Sequence, residues 1–179
     1  MLNLQDITLC CIDNVDLIRA TKAIKHCTDV AVFGEVLLLS PDIHSKEDYS
    51  KFVLLELPDI IKTKFVLIVQ YDGYIVNPAA WTDDFMNYDY IGAPWWFTHN
   101  NNVGNGGFSL RSKKMLEACK KIQPYHPEDA MIRLFRPGLE DEGIKFAPEE
   151  LAAKFSWERN GKYTEYKGSF GFHGTKPNV

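Results

Sequence analysis

The stretch FVLIVQYDGYIV, residues 65–76, decides how this chain is read. Phe65 to Val69 form a short apolar run rich in β-branched residues, the signature of a buried strand. The run then meets Gln70, a lone carboxylate at Asp72, and Gly73, which carries no side chain. A buried strand that ends this way delivers an acid to the rim of a sheet. There an aspartate can hold a divalent cation or a ribose hydroxyl, or simply cap a turn.

Working outward, ITLCCID (7–13) reads as a first strand ending in Asp13 and Asn14. Asp16 then opens a helix with Leu17, Ala20, Ile24 and Cys27 at helical spacing. Phe33 to Leu39 is a second strand, closed by Ser40-Pro41-Asp42. Ser45-Lys46-Glu47-Asp48 is a capping box for a helix running towards Pro58. The first half therefore alternates strand and helix, the pattern of an α/β domain with a parallel sheet whose strands are covered on both faces. Ligands of such sheets bind beyond the carboxyl ends of the strands, where Asp13, Ser40 and Asp72 all fall.

The second half is less regular. A short helix is expected from Asn77-Pro78 to about Met86, a short strand in YDYIGAP (88–94), and a polar loop over 98–107. Strand FSLRS and a helix from Lys113 to Ile122 follow. Pro127 fits the first position of another helix, PEDAMIRLF. GIKFAP (143–148) and KFSWE (154–158) read as short strands.

With 179 residues, 45% of them hydrophobic and 25% charged, the chain is long enough for a substantial core and too apolar for disorder. A net charge of −4 excludes a nucleic-acid surface. No apolar run is long enough to cross a bilayer, and MLNLQDITLCCID is not a signal peptide. Cys10, Cys11, Cys27 and Cys119 have neither zinc-ligand nor disulfide-framework spacing, so buried free thiols and a cytoplasmic location are expected.

Three further segments can carry chemistry. VGNGGFSLRS (103–112) packs three glycines into four positions around Asn105, which allows positive φ and close backbone approach to a ligand. It is neither a dinucleotide fingerprint nor a P-loop. In PEDAM (127–131), Glu128 and Asp129 lie in a first helical turn, where the macrodipole favours ionised carboxylates able to act as a general base. In FGFHGTKP (170–177), His173 can ligate a metal or contact phosphate, with Lys176 as a point charge. Each segment also has a plain structural reading: a tight turn, helix-start decoration, a packed terminal histidine.

In this order the segments resemble the GT-A class of nucleotide-sugar glycosyltransferases and, within it, the DUF5672 family. That family shares a Q-x-D strand end (Gln70-Tyr71-Asp72), YDYIGAPW, GNGGFSLRS, a downstream E-D and an F-G-F-H end. The likeness covers most of the chain from about Phe65 and, more loosely, the N-terminal strands. It implies an α/β fold, a single GT-A-like (Rossmann-like) domain over 1–179 with a mainly parallel central sheet flanked by helices. About 1–76 would bind nucleotide, and about 77–179 would form the acceptor and catalytic half.

The implied activity is transfer of a sugar from a nucleotide-diphosphate donor to a hydroxyl of a glycan or other acceptor, with inversion. Asp72 and His173 would hold Mn²⁺ or Mg²⁺, although Gln70 replaces the first carboxylate of the D-x-D pattern. Cys11, Ile12, Asp13, Asn14, Ser40, Gln70, Tyr71 and Lys176 would contact the donor nucleotide. Gly104, Asn105, Gly106 and Gly107 would lie along donor sugar and acceptor, with Trp95 or Trp96 offering a stacking face. Asp129, beside Glu128, would be the base. The small size points to a homo-oligomer or partner completing the acceptor site. Two other classes share these features: a metal-dependent nucleotidyltransferase, and a nucleotide- or sugar-binding module without catalysis, which Gln70 keeps in play.

Overall fold

A computed structural model of the chain describes residues 1–97 and 102–178; the first part of the polar loop, 98–101, lies outside the described residues. Strand β1 (Leu2–Ile12) is followed by helix α1 (Leu17–Thr28) and strand β2 (Ala31–Leu39). Asp16 caps α1 by accepting a hydrogen bond from Arg19 N at 3.0 Å. Ser45 caps α2 (Lys46–Lys51) in the same way through Asp48 N. A π-helical segment (Phe52–Glu56) joins α2 to α3 (Leu57–Ile60), so the expected helix does run to Pro58 and just past it. Strand β3 (Phe65–Val69) pairs in parallel with β1, as does β2 on the other side.

The region expected as one helix after Asn77 is instead two 3-10 turns, Pro78–Ala80 and Asp83–Asn87. Thr82 between them is extended, and its hydroxyl caps the second turn. Strands β4 (Tyr90–Gly92) and β5 (Phe108–Ser112) pair antiparallel, and β5 runs antiparallel to β3. The sheet order is thus β2-β1-β3-β5-β4. The helices α4 (Lys113–Cys119), α5 (Glu128–Asp141) and α6 (Glu149–Phe155) follow, then the parallel pair β6 (Ser156–Glu158) and β7 (Gly171–His173). Residues 143–148 form no strand; only Phe146 makes an isolated bridge, to Tyr90. In KFSWE the first two residues end α6, because the 149–155 segment places Ala152 and Phe155 on the core at helical spacing.

The strand alternation splits the core in two. Ile7, Leu9, Cys11, Leu67 and Val69 face a cluster centred on Phe85, Phe108, Phe155 and Phe170. Cys10, Ile12, Val66 and Ile68 face Phe52, Val53, Leu57, Ile61 and Leu116. All four cysteines are buried free thiols. Covering is incomplete at the edge strand β2, which alternates and leaves Val32, Val36 and Leu38 exposed. No helix among the described residues is long and apolar enough to cross a membrane.

The direction of β5 positions everything that follows. Val69 pairs with Phe108, so the amino end of β5 lies beside the carboxyl end of β3. The glycine loop is thereby delivered to the same rim as Asp72. Phe155 ties this arrangement down, its ring centroid 5.2 Å from those of both Phe85 and Phe108. Phe155→Ala is expected to cost about 3–5 kcal/mol of stability, read from the urea midpoint, because the rigid aromatic neighbours cannot close the cavity.

Candidate active site

The ends of β1 and β3, the loop before β5, the first turn of α5 and the end of β7 converge on one cavity of about 730 Å³. Of the residues singled out in the sequence, Ile12, Asp13, Asn14, Gln70, Tyr71, Asp72, Asn105, Gly107, Glu128, Asp129 and His173 line it. Asp13 also shapes its own turn, its Oδ1 accepting from Val15 N and Asp16 N at 2.8 and 2.9 Å.

The remaining expected residues lie elsewhere. Cys11 is fully buried, because alternation along β1 turns it into the aromatic core. Ser40 is exposed beyond the end of β2, and Lys176 is exposed past β7; neither lines the cavity. Trp95 is buried and stacks on Phe97 at 5.6 Å, while Trp96 is 68% exposed, and both are absent from the cavity wall. Gly104 and Gly106 do not line it. The cavity also takes in His44, Ser45, Lys46, Tyr49 and His126, which sequence reasoning passed over. The capping box at Ser45 marked the start of α2, but nothing in it says that this helix end faces the β1 and β3 rim.

The glycines act differently from expectation. Among the described residues the positive-φ glycines are Gly143, Gly168 and Gly174, none of them in the GNGG loop. Close approach is what that loop requires, and it is approach by the protein itself. A Cβ on Gly107 would overlap the His173 ring. One on Gly106 would stand 2.6 Å from Glu128 Oε1 and 2.8 Å from Arg111 Nη2. Gly73 has the same explanation: a Cβ there would meet Phe172 O at 2.8 Å, so β7 crosses directly over the turn after Asp72. This crossing brings His173 to the β3 rim.

His173 joins two acids and an amide. Its Nε2 lies 3.0 Å from Gln70 Oε1 and 3.6 Å from Asp72 Oδ1, while Nδ1 lies 3.3 Å from Glu158 Oε1. Gln70 in turn donates from Nε2 to the Tyr49 hydroxyl at 3.1 Å. Burial works against a charged ring, but the Glu158 hydrogen bond and the nearby Asp72, Glu158 and Asp129 carboxylates outweigh it and raise the His173 pKa.

Among the described residues no three His, Cys, Asp or Glu side chains are grouped as metal ligands. Asp72, His173 and the Gln70 amide nevertheless fit a hard divalent cation. Asp72 Oδ1 is buried with no hydrogen-bond partner, and the 3.0 and 3.6 Å separations resemble the roughly 3 Å between adjacent ligands at octahedral bonds of about 2.1 Å. Glu158 behind Nδ1 is the outer carboxylate that orients a ligating histidine.

Asp129 lines the same cavity. Its Oδ2 accepts from Gly106 N at 2.9 Å and its Oδ1 from Ala130 N at 2.8 Å. Lost hydration and then the Glu128 charge push its pKa up to about 6; the two N–H donors and Arg111 only partly offset them. The helix-start position, expected to favour ionisation, is outweighed. Glu128 has a different task. It is 4% exposed and accepts from Arg111 Nη2 at 3.0 Å, so its carboxylate is committed to a buried ion pair rather than free for catalysis.

The geometry defines a GT-A-type α/β fold with a carboxylate-lined cavity at the strand rim. The chain belongs to the DUF5672 family, described as a protein of unknown function, whose family model matches residues 36–173. Among solved structures it is similar to a glycosyltransferase involved in the glycosylation of the major capsid of PBCV-1. That match has a TM-score of 0.62 and 15% identity, covering 93% of this chain and 91% of that one. A galactosyltransferase, LgtC, in complex with donor and acceptor sugar analogs, matches with a TM-score of 0.44 and 12% identity, covering 98% and 88%. No curated protein matches the chain.

Removing one partner of the Arg111–Glu128 pair strands a buried charge. Glu128→Ala is expected to lose about 3–5 kcal/mol in chemical denaturation, whereas Arg111→Met combined with Glu128→Leu recovers most of it.

Proposed function

We propose that this chain is an inverting glycosyltransferase that moves a sugar from a nucleoside-diphosphate donor to a hydroxyl of a glycan or other acceptor. One observation carries the reading. A desolvated carboxylate, Asp129, lines the same cavity as the Asp72, His173 and Gln70 group.

A carboxylate with a pKa near 6 is ionised at neutral pH yet basic enough to take a proton in a transition state. Gly106 N and Ala130 N hold it in place. It accepts the proton of the acceptor hydroxyl as that oxygen attacks the anomeric carbon. The bond from that carbon to the diphosphate breaks on the opposite face, and the diphosphate leaves with the electron pair. Asp72, His173 and Gln70 are the residues that would hold Mn²⁺ or Mg²⁺, and such an ion supplies positive charge against the departing diphosphate. Glu158 keeps the His173 ring oriented. Asp13 and Asn14 at the end of β1 and Lys46 at the start of α2 lie where nucleoside and phosphate would rest.

The first test is a thermal-shift panel of UDP, GDP, CDP and dTDP, each with and without Mn²⁺. One nucleotide is expected to raise the midpoint, more so with Mn²⁺, and Asp72→Ala should lose the metal-dependent part. An equal response in Asp72→Ala would remove the metal assignment.

Two predictions concern the base. Asp129→Asn is expected to lower transfer at least about 10²-fold while leaving the nucleotide-induced shift intact. In the wild-type protein kcat/KM should fall tenfold per unit below about pH 6 and stay flat above it, since the protonated carboxyl cannot accept a proton. A break near pH 4, the range of an ordinary carboxylate, would show that burial and Glu128 do not raise the Asp129 carboxyl.

A further inference from the structure

Helix α5 is apolar on two sides. Its inner side carries Ile132 and Leu139 into the core. Its outer side carries Met131, half-buried, then Leu134, 64% exposed, Phe135, 40% exposed, and the exposed Gly138. These positions fall at i, i+3, i+4 and i+7, so they form one stripe along the helix. A single exposed leucine is ordinary. A second apolar stripe, on a helix whose first is already buried, marks a contact surface.

Gly138 has no purpose inside its own chain. Its φ is not positive, and a Cβ there would meet nothing within 4 Å. Within a helix glycine costs about 1 kcal/mol relative to alanine, and Pro137 before it disfavours the helix more strongly. Bare backbone on an exposed face lets another molecule approach closely.

The charges beside the stripe identify that molecule. Arg133 stands two turns before Glu140 on one flank, with Asp141 next to it. Glu140 pairs with Arg136 of its own helix at 2.8 Å. Among the described residues neither Arg133 nor Asp141 has an ion-pair partner. Two α5 helices packed antiparallel, about a two-fold axis between Arg136 and Pro137, bring Arg133 of each chain opposite Glu140 and Asp141 of the other. The same axis sets Leu134 of each over Gly138 of the other. A closed two-fold contact requires a surface that carries both halves of its own complement. Opposed helix dipoles add to the attraction.

We infer that the outer stripe of α5 is a self-association surface, on which a second copy of the chain packs its own α5 antiparallel. Arg133, Leu134, Phe135 and Gly138 do not line the cavity that holds Asp129, so this association is independent of transfer chemistry.

The test is sedimentation equilibrium from about 1 to 300 µM protein, because a single helix pair is a small contact and binds weakly. The expected result is a mass that rises with concentration and levels at twice the monomer. Leu134→Glu buries a charge in the contact and should weaken association at least about tenfold. Gly138→Leu fills the gap and should weaken it too. In the dilute monomer that same change should raise the thermal midpoint, since leucine is the better helix former. Arg133→Glu and Asp141→Lys should each weaken self-association, and an equimolar mixture of the two should recover it. A mass that stays at the monomer throughout overturns the inference. Growth beyond the dimer overturns it as well, because a closed contact stops at two. A dimer that survives both Leu134→Glu and Gly138→Leu overturns it by moving the contact elsewhere, such as the open edge of β2. Failure of the mixture to recover association overturns the antiparallel arrangement.

Discussion

The buried pair between Arg111 and Glu128 is the constraint on which the rest of the site depends. Arg111 is 1% exposed, on β5; Glu128 opens α5. Their contact at 3.0 Å therefore joins the sheet to the helix that carries Asp129. Both charges have left water, which is costly, and their attraction repays that only if the geometry is held. The surroundings hold it. Arg111 Nε donates to Ser109 Oγ at 3.1 Å, Ser109 Oγ donates to Gly106 O at 2.9 Å, and Gly106 fits against the pair only because it lacks a Cβ. Gly106 N then donates to Asp129. One chain of contacts thus runs from a sheet strand, through a glycine, to the candidate base.

The same pair tunes the neighbour it positions. Desolvation first, and then the Glu128 carboxylate one residue away, raise the Asp129 pKa, while Arg111 and two backbone N–H groups pull it down. Desolvation is the largest influence, so the carboxyl ends above its ordinary range but below neutrality. Structural and chemical roles are divided between two adjacent acids: one is tied to a buried cation, and the other is left to face the cavity.

Much of this was legible in the sequence, and the rest was hidden for identifiable reasons. Val66 to Val69 and Ile7 to Ile12 announced buried parallel strands because both faces are apolar, and Asp16 and Ser45 announced their helices because caps are local chemistry. Asp72, Asp129 and His173 stood out as groups at element ends. What could not be read was tertiary. The edge position of β2 left half its side chains in water. Thr82, extended and capping the next turn, splits a helical-looking segment in two. Nothing local to Cys11 says which face of β1 it takes, and nothing in Ser45-Lys46 says that α2 points at the rim. Glu128 and Asp129 are indistinguishable as neighbours in a sequence; only Arg111, seventeen residues earlier on another element, separates their roles.

Gln70 is best understood through this distribution of charge. Asp13, Asp72, Glu128 and Asp129 already line the cavity, and Glu158 stands just behind His173. A carboxylate at position 70 would add a further negative charge within reach of Asp72, disfavouring ionisation of its neighbours. The amide avoids this and does two things at once. Its oxygen lies within hydrogen-bond reach of His173, and its nitrogen donates to the hydroxyl of Tyr49, a half-buried residue whose pKa is raised first by desolvation and then by Glu128. An ionised carboxylate has no proton to donate to Tyr49. Gln70 therefore offers an oxygen to His173 without adding a charge, and links the β3 rim to α2 through its hydrogen bond to Tyr49.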